Sequence, residues 1–204
     1  MIKTVIFDFG GVLVRTEDRM PRQRLAEKFG LSYEEIDQLV YGSATSKLAG
    51  SGKISAEEHK ETVLKTLKLP PGSFKSFGDE FWGGDRLDKK LMDFIQGLRG
   101  EYTTALLSNA WDDLRPMLAE FWKIDGVFDH IFISAELKMA KPDPAIYQHV
   151  IHSLNQDASR MVFVDDFIEN VLAAREAGMN AIHFRSREQA LIELAEILDN
   201  ESIF

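Results

Sequence analysis

At 204 residues, 45% hydrophobic and 28% charged, the chain is long enough to bury a full core, and it suits one α/β domain or one domain carrying a modest insertion. Its formal net charge of -9 would repel a nucleic-acid backbone or an anionic membrane surface, both of which are bound through clustered Lys and Arg. With no cysteine in the sequence, disulfides, zinc–thiolate sites and thiol catalysis are excluded.

Short apolar, β-branched runs at Thr4 to Phe7, Thr104 to Leu107, His130 to Ile133, Met161 to Val164 and Ala181 to Phe184 read as buried strands, each bounded by a polar or glycine-containing turn. Between the later runs, apolar residues recur at helical spacing: Leu91, Phe94, Ile95 and Leu98; Tyr147, Val150, Ile151 and Leu154; Val171, Leu172 and Ala174; Leu191, Leu194, Ala195 and Leu198. Asp143 before Pro144 has the form of an N-cap followed by a first helical residue, and Gly178 stands where a glycine ends a helix. Alternating strand and helix predicts a Rossmann-like, doubly wound parallel sheet with helices on both faces. Such a sheet binds ligands beyond the carboxyl ends of its strands.

The first strand breaks the alternation, because roughly 80 residues separate it from the helix expected near Leu87, far more than a simple connection needs. Within that stretch, Ser32 to Glu35 and Ser55 to Glu58 have capping-box spacing, and Ile36, Leu39, Val40 and Val63, Leu64, Leu67 follow at helical intervals. The expected organisation is an α/β core of residues 1–14 and 85–204 with a small helical cap, 15–84, hanging over the crevice end of the sheet. The opening residues lack the basic-then-apolar pattern of a signal peptide, and no apolar run approaches the roughly 18 residues of a membrane span. The expected location is the cytoplasm.

Polar groups stand at or beyond the ends of the expected strands: Asp8 after Val5-Ile6-Phe7, Ser108 and Asn109 after Ala105-Leu106-Leu107, Lys141 in Lys-Pro-Asp-Pro, and Asp165 with Asp166 after Val162-Phe163-Val164. Taken singly, Asp8, Ser108 and the Asp pair read equally well as turn or helix caps, and Lys141 as a surface charge. Parallel strands bring them all to one edge, where several carboxylates repel one another unless a hard cation sits among them; magnesium (Mg2+) prefers such oxygen ligands. Gly10 and Gly11 let the backbone turn tightly against a ligand, while Ser108 and Lys141 offer a hydroxyl and a positive charge. These are parts for holding a phosphate group, arranged differently from a Gly-x-x-x-x-Gly-Lys loop, which is absent.

Phe7-Asp8-Phe9-Gly10-Gly11-Val12-Leu13, Leu107-Ser108-Asn109, Lys141-Pro142-Asp143-Pro144 and Val164-Asp165-Asp166, the last continuing through Asn170 to Gly178, resemble the four ordered motifs of the haloacid dehalogenase-like hydrolase superfamily. The resemblance spans the chain and includes a helical cap after the first strand. It implies that Asp8 attacks phosphorus to form an aspartyl-phosphate that water hydrolyses. It also implies that magnesium is held by Asp8, the Gly10 carbonyl and Asp166, with Asp165 a direct or water-mediated ligand. Ser108 and the backbone amides near it, Asn109 included, would hold phosphate oxygens, and Lys141 would offset the negative charge of Asp8 and substrate.

The sequence departs from that family in one position. The usual second aspartate, two residues after the nucleophile, is Gly10 here, so the carbonyl contact to the metal survives while the proton-transfer side chain is lost. General acid–base help is worth about 10²–10⁴ in rate. The loss favours phosphate esters with acidic leaving groups, such as a sugar 1-phosphate, and disfavours phosphomutase chemistry. The expected partner is a small phosphorylated metabolite. Two other readings stand beside this one: a hydrolytic 2-haloacid dehalogenase, which needs no magnesium, and a catalytically weak phosphate-binding protein. Glu17, Asp112 and Asp113 are expected as solvated loop charges, either pocket or packing roles suit Trp111 and Phe81-Trp82, and His149 and His152 are expected on a helix surface.

Overall fold

The computed structural model describes residues 1–198; the end of the expected core segment, 199–204, lies outside the described residues. Seven strands and eleven α-helices follow in the order β1 (Thr4–Phe7), β2 (Val14–Thr16), α1 (Met20–Lys28), α2 (Tyr33–Asp37), α3 (Ala44–Gly50), α4 (Ala56–Thr66), α5 (Phe74–Phe81), β3 (Asp85–Leu87), α6 (Lys89–Leu98), β4 (Thr103–Ser108), α7 (Leu114–Met117), β5 (His130–Ile133), α8 (Ser134–Leu137), α9 (Pro144–Leu154), β6 (Met161–Asp165), α10 (Ile168–Glu176), β7 (Asn180–His183) and α11 (Arg187–Leu198). The main sheet is parallel, with strand order β5-β4-β1-β6-β7.

Period-two alternation sorts the strand side chains between two apolar layers. Val5, Phe7, Leu106, Val162 and Val164 face Leu91, Ile95, Leu194 and Leu198 of α6 and α11. Ile6, Ala105, Leu107, Met161 and Phe163 face Ile146, Tyr147, Val150 and Val171 of α9 and α10. Strand β1 lies between β4 and β6, so the chain winds away from it in both directions, and the reversal opens a crevice at its carboxyl end. The expected helix ends are present. Asp143 accepts from the Ala145 amide at 2.9 Å with Pro144 in the first turn, and Gly178, at φ +90, closes α10 with Met179 N donating to Ala174 O at 3.1 Å.

Helices α1 to α5 lie between β2 and β3 and bury a core of their own, built on Leu25, Ile36, Val40, Val63, Leu64, Phe74, Phe77 and Phe81. Both expected capping boxes, at Ser32 and Ser55, are formed. Strands β2 and β3 pair antiparallel, Thr16 opposite Asp85 and Val14 opposite Leu87, and join the two ends of this insertion. These three-residue strands are too short for a pattern and were not expected. The helix expected near Leu87 begins at Lys89, where Asp88 caps the Leu91 amide at 3.0 Å. Burial works against the Asp88 charge, yet hydrogen bonds from Arg15, the Leu91 amide and Arg187 hold its carboxyl below the usual range.

A core of this size rarely supplies more than about 3–5 kcal/mol unaided, so the insertion depends on polar bonds to hold its shape. Arg22 is its central one. The guanidinium is buried, with Nη1 on Asp37 Oδ1 at 2.6 Å, Nη2 on Asp85 Oδ1 at 3.2 Å and Nε on the Phe81 carbonyl at 3.2 Å. Removing it takes the guanidinium from the largely buried Asp85, which keeps the Thr16 hydroxyl at 2.7 Å and whose carboxyl burial already raises. Arg22→Ala is expected to cost about 3 kcal/mol, read from urea unfolding; a loss under about 1 kcal/mol would contradict this role.

Candidate functional site

The site is built where β1, β4 and β6 end. Asp8 follows Phe7, Ser108 ends β4, and Asp165 ends β6; the parallel register of Phe7 with Leu106 and Val164 brings these ends level. Lys141 arrives from the connection between α8 and α9. Its ammonium donates to the Leu107 carbonyl at 3.0 Å and Asp165 Oδ2 at 2.6 Å, and pairs with Asp8 Oδ1 at 2.9 Å. Two hydrogen bonds and a second counter-ion thus hold the ammonium. Lys141 and Asp8 are 5% and 6% exposed and Asp165 is fully buried, so these charges act on one another with little screening.

Asn109 is expected to reach phosphate through its backbone amide, and its side-chain amide is committed to Lys141, with Nδ2 donating to the Lys141 carbonyl at 2.7 Å and Oδ1 accepting from the Lys141 amide at 2.8 Å. Any contact from Asn109 to a ligand falls to its backbone. The structure brings in another residue, Asn170, one turn into α10. Its Nδ2 lies 3.1 Å from each oxygen of Asp165, and its carbonyl accepts the buried Tyr147 hydroxyl at 3.0 Å. Five-residue spacing from Asp165 across a helix start was the available signal for it.

The two late carboxylates have different surroundings. Asp165 accepts from Lys141, from Asn170 and from the Phe167 amide at 2.8 Å, so both its oxygens are engaged. Asp166 Oδ1 is buried with no hydrogen-bond partner among the described residues. Burial first, then the Asp165 charge, raises the Asp166 carboxyl above its ordinary range. Gly11, at φ +81, leaves room for Asp166; a Cβ there would stand 2.2 Å from Asp166 Oδ2.

Burial, reinforced by Asp165 and opposed by Lys141, pushes Asp8 up to about 6. Ligand oxygens of Asp8, Asp165 and Asp166 lie within 4.8 Å of one another. Against three carboxylates stands one ammonium, leaving two net negative charges when all are ionised, and the orphaned Asp166 oxygen marks where a positive partner is missing. This donor set fits a hard divalent cation.

Gly10 is exposed, its φ is outside the left-handed region, and a Cβ built there meets nothing within 4 Å. The room for a side chain at Gly10 is open. The acids of the nearby loops have partners of their own or face solvent. Asp112 Oδ1 accepts from the Ala56 amide at 2.9 Å, Asp113 pairs with Lys60, and Glu17 is exposed at the β2–β3 ribbon. Asp112 is exposed as expected while also capping the insertion, whereas Asp113 is half-buried in its ion pair with Lys60 and is not the solvated charge expected. Trp111 packs on the insertion's core, and Phe81 and Trp82 pack within it. His149 is half-buried beside Phe132, with ring centroids 6.3 Å apart, and His152 is exposed.

At the crevice of this doubly wound α/β fold stand three carboxylates and one buried lysine. The comparisons narrow the class. The chain matches the haloacid dehalogenase-like hydrolase model over residues 2–178 and belongs to that family of hydrolases. It is 28% identical over 201 residues to a sesquiterpene phosphatase of Aspergillus oryzae, covering 96% of each protein. It is also 28% identical over 212 residues to a D-ribitol-5-phosphate phosphatase of Bacteroides thetaiotaomicron, covering 98% of this chain and 100% of that one. A HAD family enzyme of Bacteroides thetaiotaomicron, solved with magnesium and inorganic phosphate, shares the fold with a TM-score of 0.77 at 24% identity, over 92% of this chain and 96% of that one.

The raised Asp8 gives a testable linkage in the metal-free protein. Its folded value, about 6, lies above its ordinary 3.8, so its contribution to stability is present below about pH 4 and is lost as pH rises through about 6. Asp8→Asn removes that loss. At pH 8 the metal-free variant is expected to be more stable than wild type by roughly 2–3 kcal/mol, with the difference vanishing near pH 4. Urea titrations across that range check it, and a variant less stable at pH 8 would contradict the burial argument.

Proposed function

We propose that the chain is a magnesium-dependent phosphatase that hydrolyses a small phosphate monoester through an aspartyl-phosphate on Asp8. The observation that carries this reading is the buried trio of Asp8, Lys141 and Asp165 beside Asp166, whose inner oxygen has no partner. Asp8, Asp166 and the Gly10 carbonyl would hold the cation. When bound, it would supply charge neutralisation between the nucleophile and the phosphate oxygens. The saturated Asp165 serves as the fixed counter-ion of Lys141.

Asp8 Oδ1 is taken by Lys141 and by the Phe9 amide at 2.7 Å, leaving Oδ2 to attack phosphorus. The P–O bond to the leaving group breaks and its electron pair leaves on that oxygen. Water then attacks the same phosphorus, the Asp8 O–P bond breaks, and inorganic phosphate departs. Lys141, Ser108 and the backbone amides following it hold the phosphate oxygens through both steps. Residues 1–14 and 85–204 form the catalytic core in this reading, with 15–84 as its cap, and the setting is cytoplasmic. No helix among the described residues is long and apolar enough to cross a membrane.

With open space at Gly10 and with Asp112 and Asp113 engaged elsewhere, none of these positions supplies an acid to protonate the leaving oxygen. Substrates whose leaving groups depart without that help, acyl phosphates and sugar 1-phosphates, are therefore favoured over esters of primary alcohols. The dehalogenase alternative has no use for Asp166 beside Asp8.

Phosphate release is measured from acyl, anomeric and primary-alcohol phosphates, with and without magnesium, for wild type, Asp8→Asn and Gly10→Asp. Magnesium-dependent release should favour the first two classes and vanish in Asp8→Asn. Gly10→Asp should raise primary-alcohol rates by about tenfold or more, part of the 10²–10⁴ that a general acid supplies. Equal wild-type rates for all three classes would overturn the leaving-group argument. No release from any of them, with phosphate still bound, would favour the binding-protein reading.

A further inference from the structure

Three consecutive residues just beyond Ser108 and Asn109 reach out of the core and into the insertion. Trp111 Nε1 donates to Ser46 Oγ at 3.3 Å, and its ring meets the edge of His59 with centroids 4.7 Å apart. Asp112 Oδ1 accepts from the Ala56 amide at 2.9 Å, adding a cap from the core to the first turn of α4. Asp113 forms an ion pair with Lys60 of the same helix, both side chains largely buried.

The contacts run in the other direction too. The fully buried Ser134 donates to the Gly50 carbonyl at 2.6 Å and accepts from the Ala110 amide at 3.0 Å. Gly52, at φ +65, lies so close that a Cβ there would stand 2.1 Å from the Ala135 carbonyl oxygen. Inside the insertion, His59 is held from both ends. Nε2 is 2.9 Å from the Val40 carbonyl, which can only accept, so it carries the proton, and Nδ1 accepts from Thr45 Oγ1 at 2.9 Å. The surface that receives Trp111 is thus itself fixed.

We propose that Trp111, Asp112 and Asp113 are positioning residues that dock the insertion onto the loop following Ser108 and Asn109, making it a fixed wall of the site in place of a swinging lid. A hinge at the β2–β3 ribbon would have to pull Trp111 out of an apolar core, uncap α4, separate Asp113 from Lys60 and break the Ser134 bridge together. The same contacts tie the position of Ser108 and Asn109 to that of α3 and α4. Substrates large enough to reach α3 and α4 then bind against a preformed surface. The docking does not depend on what is hydrolysed; only its consequence for substrate affinity rests on the phosphatase reading.

The test is amide hydrogen exchange across residues 44–66, with magnesium present and with or without inorganic phosphate, alongside steady-state kinetics on the favoured substrate class. It uses wild type, Asp113→Lys, Lys60→Asp and the double charge swap. In wild type, phosphate should change exchange in this segment by less than about twofold, because a docked wall has no open state to lose. Each single variant should exchange about tenfold faster there and raise KM about tenfold with kcat within about twofold, and the double swap should restore both. Should a single variant fail to fold, Asp113→Asn, which removes the charge, and Trp111→Phe, which removes the indole N–H and part of the ring, read the same quantities.

Slowing of wild-type exchange by about tenfold or more on phosphate binding would identify a closing lid and overturn the proposal. So would single variants with unchanged exchange, and faster exchange with unchanged KM would overturn the positioning role. The exchange measurements need no turnover, so they remain decisive if the chain hydrolyses none of the phosphates tried.

Discussion

Lys141 stands between Asp8 and Asp165 in a space that water hardly enters, and the surrounding architecture serves to keep it there. An ammonium buried between two carboxylates is held only if every donor and acceptor is matched, since an unmatched charge in that setting costs several kcal/mol. The matching uses parts from the whole core. The Leu107 carbonyl comes from the end of β4, the Asn109 amide clamps the Lys141 backbone, and Asn170 steadies Asp165 from α10. Parallel strands ending level with one another are what bring such distant residues within reach.

The arrangement is matched on one side and deliberately incomplete on the other. Asp165 has donors for both oxygens, whereas Asp166 presents a buried oxygen with none, and Asp8 is pushed up to about 6 by burial. In the metal-free protein this corner opposes folding, the usual consequence of gathering like charges for function. Gly11 yields its side-chain volume to Asp166, while the volume above Gly10 is left open. The first gap is filled by a carboxylate of the chain and the second, among the described residues, by none, and the proposed preference for leaving groups that depart without proton transfer rests on that contrast.

Much of the core was legible because it rests on local signals. Strand runs bounded by turns gave all five strands of the main sheet to within a residue or so, and Asp143-Pro144, Ser32-x-x-Glu35 and Ser55-x-x-Glu58 marked helix starts that the structure contains. Parallel strands were expected to bring Asp8, Ser108 and the Asp165-Asp166 pair to one edge, and β1, β4 and β6 do end level, while Lys141 comes in from the connection between α8 and α9. Less visible were the jobs of residues whose partners lie far away in sequence. Asn109 bonds to Lys141, Asp112 and Asp113 bond to α4, and Arg22 bonds to Asp85; such pairs impose no period and no spacing. The difference between Asp165 and Asp166 was equally hidden, because adjacent identical residues acquire different roles only through the direction each side chain takes at the end of a strand.

The central claim is that these carboxylates require a divalent cation, and the direct measurement is calorimetric titration of magnesium into wild type and Asp166→Asn at pH 7.5. The account predicts a single site in wild type and affinity weakened roughly 10–100-fold or more in the variant, at least the loss caused by disturbing an outer-shell partner. Undiminished binding in Asp166→Asn, or no binding to wild type, would contradict it.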